Sequence, residues 1–339
     1  MKTSVLIVTI LFATFNAVSA QDCNNLNEEA NRHMGRAEIF ADAAEKGGDI
    51  SNILNALNEY KAAYQYAPNC PDICYDVAYY AEKYSEIDID PSYCNTAIEY
   101  WRKYLQIFPN TTEKKGIEIK IGMIEAKKEI YEKLQIDMVF VKGGTFHMGC
   151  TADQGRDCNS KESPVRRVTL NDFYIGKYEV TQAQWKGIMG TNPSLFEGDD
   201  LPVENVSWDD VQTFILKINL KTKKNYRLPT EKEWEYAARG GGYKFSGSSD
   251  IEEVAWYESN SNGRTHKVGG KKANGKGIYD LTGNVWEWCS DLYGEKYRIA
   301  RGGCYKAPAR NSHNAFRSYY VPSTRSETLG FRLACDADQ

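Results

Sequence analysis

Asp280 and Glu287 stand seven residues apart in Tyr279-Asp280-Leu281-Thr282-Gly283-Asn284-Val285-Trp286-Glu287, on either side of a glycine turn. Hard cations such as Ca²⁺ take several oxygen ligands, some from carboxylates and some from carbonyls. A turn brings carbonyls inward, and the alternation of Val285 and Glu287 keeps both on one side. The segment therefore offers a calcium site; the competing reading is a turn closed by carboxylate–amide hydrogen bonds without metal. Zinc is poorly served. The nine cysteines (23, 70, 74, 94, 150, 158, 289, 304 and 335) and four histidines (33, 147, 266 and 313) form no cluster of zinc-site spacing. A nucleophilic hydrolase has no support either, because no GxSxG occurs.

These residues belong to a chain of 339, enough for two domains with cores of their own. A formal net charge of −4 gives no reason to expect nucleic acid as a partner. Lys2, the apolar run Val5 to Phe15 and the small residues Val18-Ser19-Ala20 read as a signal peptide over 1–20, leaving Gln21 first. Cys23 lies too far past the small residues for a lipoprotein acceptor, and no segment is apolar for long enough to span a bilayer. The expectation is an exported protein of the periplasm, outer surface or outside medium. An oxidising space suits the cysteines, whose odd number leaves at least one free thiol or an intermolecular bridge.

Residues 21–135 read as antiparallel helices punctuated by Gly47-Gly48-Asp49, Pro68 to Pro71 and Pro91. Ala56, Tyr60, Ala63 and Pro68 repeat in spacing as Ala97, Trp101, Tyr104 and Pro109. A small residue lets a neighbouring helix approach, the next two positions fill the groove, and proline ends the helix. The region resembles a tetratricopeptide-like repeat, although its 41-residue offset is long and the segment from Ser85 to Tyr93 must absorb the excess. Antiparallel packing would place Cys23 near Cys70 or Cys74, predicting a disulfide to one of them. The lysines at 114, 115, 120, 127 and 128 alternate with glutamates and predict a solvated helix face.

From Met138 the texture changes to short strands, glycines and well-marked helix starts. Capping boxes at Thr181/Gln184, Ser207/Asp210 and Thr230/Glu233 predict helices near 182–190, near 208–218 and from Glu231. Seven motifs follow in order: the glycine turn 143–149, DFYIGKYEVTQAQW (172–185), LPVENVSWDD (201–210), YRLPTEKEWEYAARGG (226–241), GIYDLTGNVWEWCSDLY (277–293), RGG (301–303) and LGFRLA (329–334). Together they resemble the formylglycine-generating enzyme (sulfatase-modifying factor) family over 138–336. The resemblance implies a compact, loop-rich mixed fold related to C-type lectins. The fold class expected for the whole chain is α+β, a helical repeat region followed by this domain.

The resemblance also implies site residues. Asp280, Gly283, Val285 and Glu287 match a family calcium site, with Gly283 and Val285 acting through backbone oxygens; the family's other calcium site is poorly matched at Val254-Ala255-Trp256. Family members hold copper with two cysteines just beyond RGG, and here those positions are Ala307 and Ser312. Soft thiolates select Cu(I), so copper is not expected. Cys304 occupies a place usually held by serine. It could act with His313 in metal binding or as a nucleophile, and the favoured reading is an inert thiol or a bridge to Cys289 or Cys335. Iron held by three histidines is excluded, since the N-terminal region has only His33. The expectation is a non-catalytic module for an envelope or extracellular protein or glycan, with Trp286, Arg310, Arg317, Tyr319 and Tyr320 as binding residues. The alternative is a metal-dependent oxidoreductase with rearranged ligands. Asn110 and Asn205 head glycan-acceptor triplets that matter only in a eukaryotic secretory pathway.

Overall fold

The computed structural model describes Cys23 and residues 26–47, 49–88, 90–155, 157–239 and 241–337. The signal read at 1–20 lies outside them. The chain divides into two compact units, Met1–Glu132 and Lys133–Gln339.

In the first unit the helices are α1 (Glu28–Glu45), α2 (Ser51–Tyr66), α3 (Pro71–Ser85), α4 (Pro91–Ile107) and the start of α5 (Lys114–Leu134). Pro71 and Pro91 open their helices where a missing N–H costs nothing, and Asn27 and Asp90 cap α1 and α4 through their side chains. α1 packs on α2, α2 on α3 and α3 on α4. The repeated positions are the contact surface: Ala56, Tyr60 and Ala63 are buried, as are Ala97, Trp101 and Tyr104. Cys23 is bonded to Cys70, while Cys74 is a buried free thiol. The basic face of α5 is less solvated than its charge pattern predicts, because Lys120 stands 4.7 Å from the Trp101 ring centroid and Lys127 reaches Ser85 Oγ. Long aliphatic stems lie along the neighbouring helices while the ammonium groups find polar partners.

The second unit sets short helices among three sheets. Strands β1 (Met138–Val141), β4 (Phe173–Gly176) and β9 (Ala334–Asp336) form an antiparallel sheet in the order β1-β4-β9. Strands β2 (Gly144–Met148) and β3 (Arg166–Leu170) make a hairpin-like pair. The third sheet, ordered β7-β6-β5-β8, comprises β5 (Trp286–Tyr293), β6 (Tyr297–Arg301), β7 (Arg317–Tyr320) and β8 (Leu329–Gly330), with β8 parallel to β5. Helices α6 (Gln182–Met189), α7 (Trp208–Thr222) and α8 (Glu231–Ala238) begin at the three expected capping boxes, each closed in both directions. α7 runs four residues past its expected end and stops at Lys223, which takes a left-handed conformation. A fourth helix, α9 (Ile251–Val254), is a single turn. One core packs Trp185, Phe214, Trp288 and Phe331; another packs Phe173, Ile175 and Trp234.

The bridge expected from Cys304 to Cys289 or Cys335 does not form. All three are free cysteines. β6, which leads into the RGG turn, pairs with β5 and β7, whereas Cys335 lies on β9 in another sheet, paired with β4. The bridge found in this unit joins Cys150 to Cys158 and closes a short loop after β2.

Candidate functional site

The RGG turn fixes the C-terminal loop. Arg301 is fully buried; its guanidinium donates to the carbonyls of Asn314, Ala315 and Phe316 at 2.7–2.9 Å and pairs with Glu235. Gly303 has φ +83°, and a Cβ there would stand 2.3 Å from Ser312 Oγ. Only glycine lets the loop close this tightly.

This packing decides the two positions that the resemblance assigns to copper ligands. Ala307 is part of the apolar core and Ser312 is buried against Gly303, so neither offers a thiolate. Cys304 is 3% exposed, and burial pushes its thiol up to about 11. Burial therefore disfavours the thiolate, the form that acts as a nucleophile. His313 is equally enclosed. Its Nδ1 lies 2.9 Å from the Arg310 carbonyl and its Nε2 lies 2.9 Å from Glu162 Oε2, so both ring nitrogens are committed away from Cys304. The Cys304–His313 couple is not assembled. Sequence reasoning missed Glu162, which sits 151 positions away and carries no local signal.

The calcium residues lie in a buried charge cluster. Glu287 accepts from Arg332 Nε and Nη2 and from Trp234 Nε1, each at 2.6 Å. Asp280, in a left-handed conformation at φ +57°, accepts from Gly269 N at 2.6 Å. Gly283 has φ +84° and meets the Trp256 backbone so closely that a Cβ would be 2.3 Å from its carbonyl oxygen. The Val285 N–H donates to Glu179 Oε1 at 3.1 Å, and Asn284 Nδ2 donates to Glu179 Oε2 at 2.7 Å. Glu179 is a third enclosed carboxylate that the sequence motif did not contain. Burial, reinforced by Asp280 and Glu287, pushes Glu179 well up from the carboxylate range; burial pushes Asp280 up to about 6. Three carboxylates therefore face one guanidinium, and among the described residues no ion pair reaches Glu179 or Asp280. The shortage of positive charge favours a cation, but the three carboxylates do not all converge within 4.8 Å of one another, and a cation there would have to share Glu287 with Arg332.

The expected binding residues separate into two groups. Trp286 is buried beneath Phe316, their ring centroids 5.7 Å apart, and Tyr320 packs edge-on to Trp288. Trp286 is a core residue, and Tyr320 is partly buried against the same core. Arg317 and Tyr319, on β7, reach a cleft of about 380 Å³ or its border. Lys161, Glu162, Arg166, Glu235 and Arg317 line it together with Met148 and Gly149. Arg317 is anchored bidentately on Glu231 and donates to the Lys161 carbonyl at 2.9 Å. Tyr319 stacks on Tyr293 at 4.3 Å, with Lys161 Nζ 4.3 Å from its ring centroid. Arg310 is exposed outside the cleft. Glu162 in the cleft wall is tied to His313, and the 150–158 disulfide closes the loop that leads to it.

The sulfatase-modifying factor enzyme 1-like domain family matches residues 126–337, well over half of the chain. The chain belongs to this family. It is 38% identical over 259 residues to "Chaperone protein LppX" of Paenibacillus barcinonensis, covering 58% of this chain and 88% of that protein. It is 28% identical over 273 residues to the "Inactive C-alpha-formylglycine-generating enzyme 2" of Mus musculus, covering 59% of this chain and 86% of that one. Among solved structures it is similar to Treponema denticola variable protein 1, with a TM-score of 0.54 at 30% identity over 59% of this chain and 94% of that chain. The structure of PvdO from Pseudomonas aeruginosa gives a TM-score of 0.53 at 27% identity, again over 59% of this chain and 94% of that one. Among the described residues, no helix is long and apolar enough to cross a membrane.

Proposed function

We propose that residues 133–339 form a non-catalytic recognition module, exported from the cytoplasm, that holds an envelope or extracellular protein or glycan at the cleft beside β7. The observation that carries this reading is the burial of Ala307 and Ser312 at the positions where the family chemistry needs thiolates. The seven ordered motifs of the family are present around them, so a scaffold built to present a substrate groove retains its walls. Cys304 and His313, enclosed and turned to other partners, supply no replacement chemistry. Lys161, Arg166 and Arg317 give the cleft cationic groups suited to carboxylate, sulfate or phosphate on the partner. The name of the Paenibacillus relative, a chaperone, supports a protein as the thing held.

The test joins metal analysis to capture. Purified wild-type protein should carry no stoichiometric copper or iron and should leave a cysteine-containing peptide unconverted to formylglycine when copper is added. Crosslinking of intact cells should recover a partner that Lys161→Glu/Arg166→Glu loses, since both side chains are exposed and neither supports the core. Stoichiometric transition metal that disappears in Cys304→Ser would overturn the reading in favour of an oxidoreductase. Capture unchanged by the double charge reversal would remove the cleft from it.

A calcium ion at Asp280 and Glu287, with the carbonyls of Gly283 and Val285, belongs to the same proposal as a structural element. Its support is the excess of carboxylates in the 179/280/287 cluster.

A further inference from the structure

The helical unit contains a second cleft of about 270 Å³, lined by α1, α2 and α3. Its chemistry differs from that of the first. On α1, Glu38, Asp42 and Glu45 recur at helical spacing and put three exposed carboxylates on one rim. Opposite them, Tyr75, Tyr79 and Tyr80 of α3 form an aromatic wall, and Tyr60 of α2 stacks on Tyr80 at 5.3 Å. Among the described residues, no lysine, arginine or histidine lines it.

Asp76 is the decisive residue. Its carboxylate stands in the wall of the cleft, partly buried, and among the described residues it makes no hydrogen bond or ion pair. Burial pushes its carboxyl up to about 8, with Asp72 and Glu38 adding to the effect. A helix interior has no need of such a group: asparagine, alanine or leucine would avoid the desolvation. Enclosed carboxylates are ordinarily paired, and this one faces a cavity with aromatic walls. The available surface cations go elsewhere. Lys46 pairs with Asp42 at the rim, and Lys83 stands 5.6 and 5.9 Å from the Tyr79 and Tyr80 ring centroids without lining the cavity.

We infer that this cleft receives the cationic end of a lysine or arginine side chain presented by a partner protein, with Asp76 as its counter-ion and the tyrosine faces around its stem. Rings supply cation–π attraction and apolar contact, and the rim carboxylates of α1 draw a basic segment toward the opening. The volume suits one side chain rather than a drug-sized ligand or a folded surface. The site is independent of the cleft beside β7, since it uses only residues of the first unit.

The probe is the peptide Ac-(Gly-Lys)₃-NH₂ titrated by calorimetry into the full mature chain, with Ac-(Gly-Gln)₃-NH₂ as the uncharged control. The lysine peptide should bind and the glutamine peptide should not. Asp76→Asn should weaken binding at least tenfold while melting no lower than the wild type. Glu38→Lys/Glu45→Lys, which changes only exposed positions, should weaken it as well. Lys161→Glu/Arg166→Glu should leave it unchanged, which separates failure here from failure of the cleft beside β7. Equal binding of the two peptides, undiminished binding by Asp76→Asn, or no binding of the lysine peptide at millimolar concentration would each overturn the inference.

Discussion

At the scale of single residues, the site is governed by what burial does to charge and to thiols. Glu287 and Arg332 are both fully buried and joined by two hydrogen bonds, with Trp234 adding a third to the carboxylate. Removing one partner strands the other's charge, which costs about 3–5 kcal/mol in such settings. Arg332→Met should lower stability by that order in urea unfolding. Arg332→Lys should recover only part of the loss, because a point charge cannot reproduce the bidentate fork. The thiols give a simpler outcome. Of the five free cysteines, Cys74, Cys94, Cys289 and Cys304 are buried and only Cys335 is partly exposed. Thiol titration of the native protein should count about one reactive group, and titration after unfolding all five. A native Cys304 that reacts quickly would contradict its enclosure. The sequence showed Val285, Glu287 and His313 as chemically notable, but not their partners. Arg332, Glu179 and Glu162 reach them from 45 to 151 positions away, and nothing local marks such pairings.

Elements were more legible, in proportion to how local their causes are. The three capping boxes are written within four residues each, and all three closed in the structure where they were expected. Thr230→Ala should cost about 1 kcal/mol by releasing the start of α8, readable as a lower urea midpoint with an unchanged slope. Sheet membership was opaque by the same reasoning. β5 joins β6 by an antiparallel hairpin whose register shifts between Trp288 and Leu292, but takes β8 as its parallel neighbour, and β9 leaves for a different sheet, which is why no bridge from Cys304 reaches Cys335. In the helical unit, the small and aromatic positions of the repeat marked the packed faces of α2 and α4. The cleft between α1 and α3 was hidden, because Asp76 is conspicuous only once its burial is known. Its carboxyl, ordinarily near 3.8, is held near 8 in the folded protein. A raised carboxyl contributes stability that is fully present below pH 4 and lost as pH rises through 8. Asp76→Asn never ionises, so it should match the wild type near pH 4 and exceed it at pH 9. A gain of about 1–3 kcal/mol is expected, allowing for the carboxylate's access through the cleft. A constant difference across that range would show that Asp76 is ionised at no cost.

At the scale of the whole second unit, the question is what balances the charge at its centre. Glu179, Asp280 and Glu287 connect the segment after β4, the glycine turn and β5, while Arg332 carries the connection between β8 and β9. Each of these segments is short and pairs with few neighbours, so the cluster acts as a fastener for the fold. Two species can supply the missing positive charge: protons on Glu179 or Asp280, or a bound divalent cation. The first needs nothing from solution. The second makes stability depend on metal concentration, because a ligand bound only by the folded state stabilises it by RT ln(1 + [L]/Kd), or about 2.7 kcal/mol at a hundredfold excess over Kd. If calcium is the counter-ion, chelation should lower the melting temperature of the wild type by several degrees, and added calcium but not magnesium should restore it, since magnesium demands a tighter octahedron with its waters retained. Asp280→Gly, which removes the side-chain oxygen at a position whose φ of +57° glycine accepts, should abolish the calcium response while leaving the Glu287–Arg332 pair in place. A melting temperature that ignores chelator would assign the charge balance to protons, and the turn at 280–287 would then serve the fold through hydrogen bonds alone.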